Sequence, residues 1–222
     1  EVVWNMPPLG TYNLHGSLLP KYRGAAPINW AVINGETESG VTSFKLKHEI
    51  DTGNMLFQAK APISKTTTAG ELHDTLMHIG ADLILKTVKA IESGDYELKP
   101  QDDIQSIHAP KLFKETCKIN WNNSVEKIYN LIRGLSPYPA AFTEFVDKNS
   151  QTLGVKIFVS EMEEVNHLLN IGTVVSDGKT FLKVACTNGY ILIKELQMAG
   201  KKRMLVEEFL RGFKMDSNFK FI

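Results

Sequence analysis

The sequence is poor in cysteine: only Cys117 and Cys186 occur among 222 residues, and neither sits in a Cys-x-x-Cys pair. That excludes a disulfide-stapled miniprotein and argues against a thiolate-bound structural zinc. It fits a reducing, cytoplasmic compartment, with a single bridge left open. No run approaches about 18 apolar residues, so no membrane-spanning helix is expected. Neither sign of charge dominates, since 25 Lys and Arg stand against 25 Asp and Glu. Internal repeats and low-complexity stretches are lacking too. With 43% hydrophobic and 23% charged residues the composition is that of a globular protein, which excludes a disordered tail or a collagen-like fibre. The chain opens on Glu1-Val2-Val3-Trp4, with no initiator methionine and no signal peptide, and this opening in mid-pattern gives the expectation of a piece of something longer.

What is present divides into two halves of different character. Residues 1–110 hold nine Lys and Arg against thirteen Asp and Glu, and residues 111–222 hold sixteen against twelve. The second half is therefore the better partner for a polyanion. In the first half, Thr11 to Leu14 reads as a short strand and Gly16 to Gly24 as a loop. Ile28 to Ile33 reads as a helix with Pro27 in its first turn, stopped by Gly35. Val41–Leu46 and Met55–Ala59 read as strands around a turn at Asp51-Thr52-Gly53. From Ala69 to Ile91, Leu72, Leu76, Ile79, Leu83 and Val88 recur at helical spacing, giving a long amphipathic helix that ends before Ser93-Gly94. Residues 95–110 have weak periodicity, an acidic pair and two prolines, and read as a linker. Beyond it, Ser124 caps a helix through Leu135. Short β-like runs follow at Ala141–Val146, Val155–Val159, Gly172–Val175, Phe181–Ala185 and Tyr190–Leu196, with turns at Asp177-Gly178 and Asn188-Gly189. Five or so strands at that spacing predict a small barrel, closed by a helix from Val206 to Phe213.

The densest chemistry lies in Asn13-Leu14-His15-Gly16-Ser17-Leu18-Leu19-Pro20. Residues two apart on a strand share a face, so Asn13 and His15 point the same way. A carboxamide and an imidazole can both donate to a developing oxyanion. Taken alone, an Asn-x-His pair is more often a satisfied turn, and Asp51 more often an ordinary turn aspartate. Asp-Thr-Gly is also the active-site triplet of the all-β aspartic proteases, but here a long helix follows it closely. His48, His73, His78, His108 and His167 show no metal-ligand spacing, and no metal is expected. Trp4, Trp30 and Trp121 read as packing residues.

Together these pieces resemble the folate-dependent formyltransferases. The run continues as Lys21-Tyr22-Arg23-Gly24-Ala25-Ala26-Pro27-Ile28, and Asp51 stands at the family's spacing within Asp51-Thr52-Gly53-Asn54-Met55. Ala109-Pro110-Lys111-Leu112, Ile132-Arg133-Gly134-Leu135-Ser136-Pro137-Tyr138-Pro139 and Gln197-Met198-Ala199-Gly200-Lys201-Lys202-Arg203-Met204 match in the second half. The resemblance implies an α/β fold: an incomplete Rossmann-like catalytic domain, then an oligonucleotide-binding-like barrel. It places the C-terminal part of the catalytic domain at 1–94, a linker at 95–110 and a tRNA-binding barrel at 111–222. The implied reaction moves a formyl group from 10-formyltetrahydrofolate to the amine of methionyl-initiator-tRNA, with no tightly bound cofactor and neither membrane nor DNA as partner. Asn13 and His15 would stabilise the oxyanion, and Asp51 would hold His15 and take the amine proton. Ser17, Leu18, Leu19 and Pro20 resemble the folate-contacting segment, and Lys21, Arg23, Lys201, Lys202 and Arg203 would face tRNA. The resemblance also implies that a βαβ-rich part precedes this chain, without which it would be weakly active or inactive. Two other functions stay open: formylation of a sugar-nucleotide amine, and a non-catalytic RNA-binding module.

Overall fold

A computed structural model of the chain describes residues 3–146, 152–213 and 220–222. Two compact units emerge, Glu1–Leu112 and Phe113–Ile222.

The first unit is built on β1 (Tyr12–His15), β3 (Glu38–Lys45) and β4 (Met55–Pro62), antiparallel in the order β1-β3-β4. Between β1 and β3 run β2 (Arg23–Gly24) and the short helix α1 (Pro27–Ile33), which begins at the expected proline. After β4 comes α2 (Ala69–Ser93), which packs on β3 and β4. Thr68 and Glu71 form a capping box at its start, and Gly94 closes it in the left-handed conformation at φ 72°. Leu72, Leu76 and Leu83 are buried in the common core with Val32, Val41 and Ala61. The buried stripe differs from expectation at one point: Val88 is 46% exposed, while Thr87 is buried and donates to Ser43 Oγ at 2.8 Å. The middle strand carries small residues that neighbours approach closely. At Gly40, for example, a Cβ would lie 2.2 Å from the Ala59 carbonyl oxygen and 2.5 Å from Leu18 Cδ2.

Residues 95–110 form no free linker. Lys99 and Met55 exchange backbone hydrogen bonds at 2.8 and 2.9 Å. Further on, β5 (His108–Ala109) pairs in parallel with β2. Trp30 Nε1 donates to the Pro110 carbonyl at 2.8 Å. The stretch belongs to the first unit because its backbone is paired there, which weak side-chain periodicity does not reveal.

The second unit opens with α3 (Val125–Leu135). Ser124 caps it by accepting from Lys127 N, and Asn188 Oδ1 takes the Val125 N–H at 2.9 Å. There follow β6 (Ala141–Val146), β7 (Thr152–Glu164), β8 (Val174–Ser176), β9 (Leu182–Cys186), β10 (Gly189–Met198), β11 (Met204–Leu205), α4 (Val206–Gly212) and β12 (Lys220–Phe221). The sheet order is β12-β6-β7-β10-β9-β8, with β11 beside β10. A bridge from Thr173 to Lys220 brings its two ends together, so six strands make a nearly closed barrel. Ile157, Leu182, Val184, Ile191, Ile193 and Leu196 fill it. Trp121 packs as expected, against Phe221 at 5.7 Å, with its indole N–H on Thr143. Both cysteines are buried and unbridged. Burial pushes the Cys117 thiol up and takes Cys186 to about 11, so neither is a reactive thiolate. No helix among the described residues is long and apolar enough to cross a membrane, and they contain no cluster of metal-ligating side chains.

Candidate active site

The end of β1 presents Asn13 exposed and His15 buried, paired across the ladder with Phe44 and Thr42. Asn13 Oδ1 accepts from the Leu14 N–H at 2.9 Å, which leaves the side-chain NH₂ turned outward as a donor. His15 Nε2 lies 2.8 Å from the carbonyl oxygen of Tyr22. A carbonyl can only accept, so Nε2 carries a hydrogen, and Nδ1 is the ring nitrogen left for a second partner. Phe44 packs edge-on against the imidazole at 6.5 Å.

Nδ1 faces Asp51 Oδ2 across 3.8 Å. That is an ion-pair distance and too long for a hydrogen bond. The hydrogen bond that fixes the ring comes from the Tyr22 carbonyl, because the loop after β1 curls back and brings Tyr22 to it, while Asp51 faces the other ring nitrogen at ion-pair distance. Asp51 is itself anchored by the Gly24 N–H, which donates to Oδ2 at 2.9 Å. Asp51 has a positive φ of 55°, an uncommon state that aspartate tolerates better than most residues. The turn closes tightly at Gly53, where a Cβ would fall 1.7 Å from the Lys45 carbonyl oxygen, so only glycine fits.

The loop from Ser17 to Pro20 is sewn to the sheet. Ser17 is fully buried, its hydroxyl donating to the Lys21 carbonyl at 2.6 Å and its carbonyl accepting from Thr42 Oγ1 at 2.7 Å. Gln58 Nε2 donates to the Leu19 carbonyl at 2.9 Å, and Leu19 is buried. The Ser17 and Leu19 side chains thus support the loop from within, whereas Leu18 and Pro20 are half-buried and can still present an apolar surface. The Leu19-Pro20 peptide bond is cis.

The five cations fare differently. Lys21 stands 3.8 Å from Glu36 and remains half exposed. Arg23 is turned inward, with its side chain 12% exposed and its guanidinium on Gln101 and Asp103. It is a strut of the site, and the expectation of a phosphate-facing cation there is corrected. Lys201 and Lys202 are exposed on the turn between β10 and β11, where Gln197 Nε2 caps the Lys201 carbonyl at 2.8 Å. Arg203 is paired with Glu195 and lies over the Phe158 ring at 4.4 Å. The residues that the sequence reading missed are Tyr22, as holder of His15, and Gln101. Tyr22 acts through its own carbonyl and Gln101 through a side-chain amide that donates to the carbonyls of Asp51 and Gly53, and backbone carbonyls leave no side-chain pattern.

Residues 1–88 match the family description "Formyl transferase", and residues 111–214 match "Formyl transferase, C-terminal domain". Methionyl-tRNA formyltransferase of Bacteroides fragilis is 53% identical, over 99% of this chain and 69% of its own length. That of Bacteroides thetaiotaomicron is 52% identical, over 99% of this chain and 70% of its own. Among solved structures, a sugar 3N-formyl transferase determined with dTDP and 5-N-formyl-tetrahydrofolate is 26% identical with a TM-score of 0.64, covering 86% of this chain and 66% of that one. HypX of Aquifex aeolicus, solved with tetrahydrofolic acid, shares the fold at 18% identity and a TM-score of 0.66, covering 95% of this chain and 38% of that one. A strand-borne Asn-x-His facing a turn carboxylate, in a chain about half identical to the two methionyl-tRNA formyltransferases over almost its whole length, leaves one assignment: the chain belongs to the formyl transferase family, in the group of the methionyl-tRNA formyltransferases.

Proposed function

We propose that this chain carries the catalytic residues and the tRNA-binding barrel for formyl transfer from 10-formyltetrahydrofolate to the amino group of methionyl-initiator-tRNA in translation initiation. The observation that carries the reading is the meeting of His15, on the strand that presents Asn13, with Asp51, 3.8 Å away in the turn between β3 and β4. The sugar-amine reading rests on relatives near 26% identity, about half that of the methionyl-tRNA enzymes, and is not favoured.

In the transfer, the methionyl amine forms a bond to the formyl carbon. The Asn13 NH₂ donates to the oxygen on which charge develops. Pre-oriented donors of this kind stabilise a tetrahedral oxyanion more than the ground state. His15 cannot donate from Nε2, which is committed to Tyr22. Its Nδ1 can take the proton that the amine loses, and as an imidazolium it then donates from Nδ1. The Asp51 carboxylate supplies the counter-charge across the gap, an interaction strengthened where water is excluded. The bond from carbon to the folate nitrogen then breaks, the nitrogen takes up a proton, and tetrahydrofolate leaves. Leu18 and Pro20 are positioned to cover an apolar ring face, with loop backbone groups available to a pterin edge. Lys201 and Lys202, with Lys21, are the cations left to meet phosphates. The catalytic part runs to Leu112, and the barrel follows it.

Single-turnover kinetics in the intact protein test this. Asn13→Ala should lose about 10²–10³ in rate, the usual cost of an oxyanion donor. Asp51→Asn should also fall steeply, with tRNA binding retained. The double variant should lose less than the product of the two, since both act on one transition state. Turnover of wild-type size in Asp51→Asn removes that residue from the reaction.

A further inference from the structure

Gln101 lies half-buried beyond α2 and uses its carboxamide from both ends. Its Nε2 donates to the Asp51 carbonyl at 2.9 Å and to the Gly53 carbonyl at 2.8 Å, clasping the turn on either side of Thr52. Its Oε1 accepts from Arg23 Nε at 2.9 Å and Nη2 at 2.7 Å. Both amide hydrogens and both acceptor positions are thereby satisfied. Arg23 directly precedes Gly24, whose N–H holds the Asp51 carboxylate. One rigid amide therefore ties the backbone of the Asp51 turn to the segment that anchors its side chain. Asp51 holds φ near 55°, a conformation uncommon outside glycine, and Gln101 supplies two of the hydrogen bonds that keep the turn in it.

We infer that Gln101 is a positioning residue for the formyl transfer, fixing where the Asp51 carboxylate stands with respect to His15. The inference rests on the reading that Asp51 takes part in the reaction. No other side chain of similar length reproduces the arrangement. Methionine keeps the volume and loses every hydrogen bond. Glutamate keeps the length and the Arg23 partnership but sets oxygen against two carbonyl oxygens.

Gln101→Met and Gln101→Glu, made in the intact protein, decide it. Both should slow single-turnover transfer by up to about 10²-fold, the scale of a misplacement of about 1 Å. Half-saturating concentrations of folate and methionyl-tRNA should stay unchanged, whereas general loosening of the fold would move them as well. In an Asp51→Asn background neither substitution should lower the rate further, because Gln101 acts through Asp51. Should Gln101→Met fail to fold, Gln101→Glu alone carries the test. Wild-type rate in Gln101→Glu, or a loss that multiplies with that of Asp51→Asn, overturns the inference while the Asp51 reading stands. Wild-type rate in Asp51→Asn overturns both.

Discussion

Tyr22 serves the site twice. Its carbonyl accepts from His15 Nε2, and its phenol is buried, donating to Glu36 Oε1 at 2.9 Å and accepting from Asn34 at 3.2 Å. Burial first, then the Glu36 carboxylate, push the phenol up to about 12, against the opposing effect of Asn34. An unfolded tyrosine loses its proton near 10, so between about 10 and 12 the folded state holds a proton that the unfolded state has released. The stabilisation is complete below the lower value and drains away as pH rises through the upper one. Tyr12, also raised to about 12 by burial and by Tyr96, adds to the same loss. Denaturant unfolding across this range should show stability falling by at most about 1.4 kcal/mol per pH unit for each such tyrosine. Tyr22→Phe should flatten the slope without abolishing it; an unchanged slope would show that Tyr22 titrates as an ordinary phenol.

At the scale of the element, α2 is the part most plainly written in the sequence. Its apolar spacing, its Thr68 and Glu71 box and its Gly94 terminator are all local, and the helix runs from Ala69 to Ser93. Thr68→Ala removes the cap and should cost about 1 kcal/mol, seen as a lower denaturation midpoint with an unchanged slope and unchanged transfer rate. The hairpin turns of the barrel were legible for the same reason, since glycine and asparagine at fixed offsets make a turn without distant help. β7 was legible only in part: Val155–Val159 alternates, but the strand extends to Glu164 through a polar stretch paired with β10. The pairing of β2 with β5 could not be read, because two-residue strands carry no period. The candidate site divides likewise. Asn13, His15 and Asp51 are legible as a site only through the family resemblance, since each taken alone suits an ordinary turn or a satisfied pair. What orients them, the Tyr22 carbonyl and the Gln101 amide, depends on segments that meet only in the folded chain.

Across the whole molecule, charge is apportioned between the units rather than spread evenly. Residues 111–222 carry the excess of Lys and Arg, and Lys201 and Lys202 stand exposed at a turn of the barrel sheet. Glu195 takes up Arg203, which narrows the cations able to meet a phosphate there. Titration of tRNA should therefore show affinity dropping steeply between about 50 and 200 mM salt. Lys201→Ala/Lys202→Ala should weaken binding and make the dependence shallower, and a salt-independent affinity would count against an electrostatic grip.

The pairing of residues 95–110 with the first unit also decides where this gene can be divided. A split after Gly94, where composition changes, would deliver a first product lacking Gln101 and the β5 partner of β2, and a second product trailing an unpaired strand. A split after Leu112 keeps Lys99 on Met55, β5 on β2 and Pro110 on Trp30. Swapping the barrel between relatives, or adding it back in trans, should use that later junction.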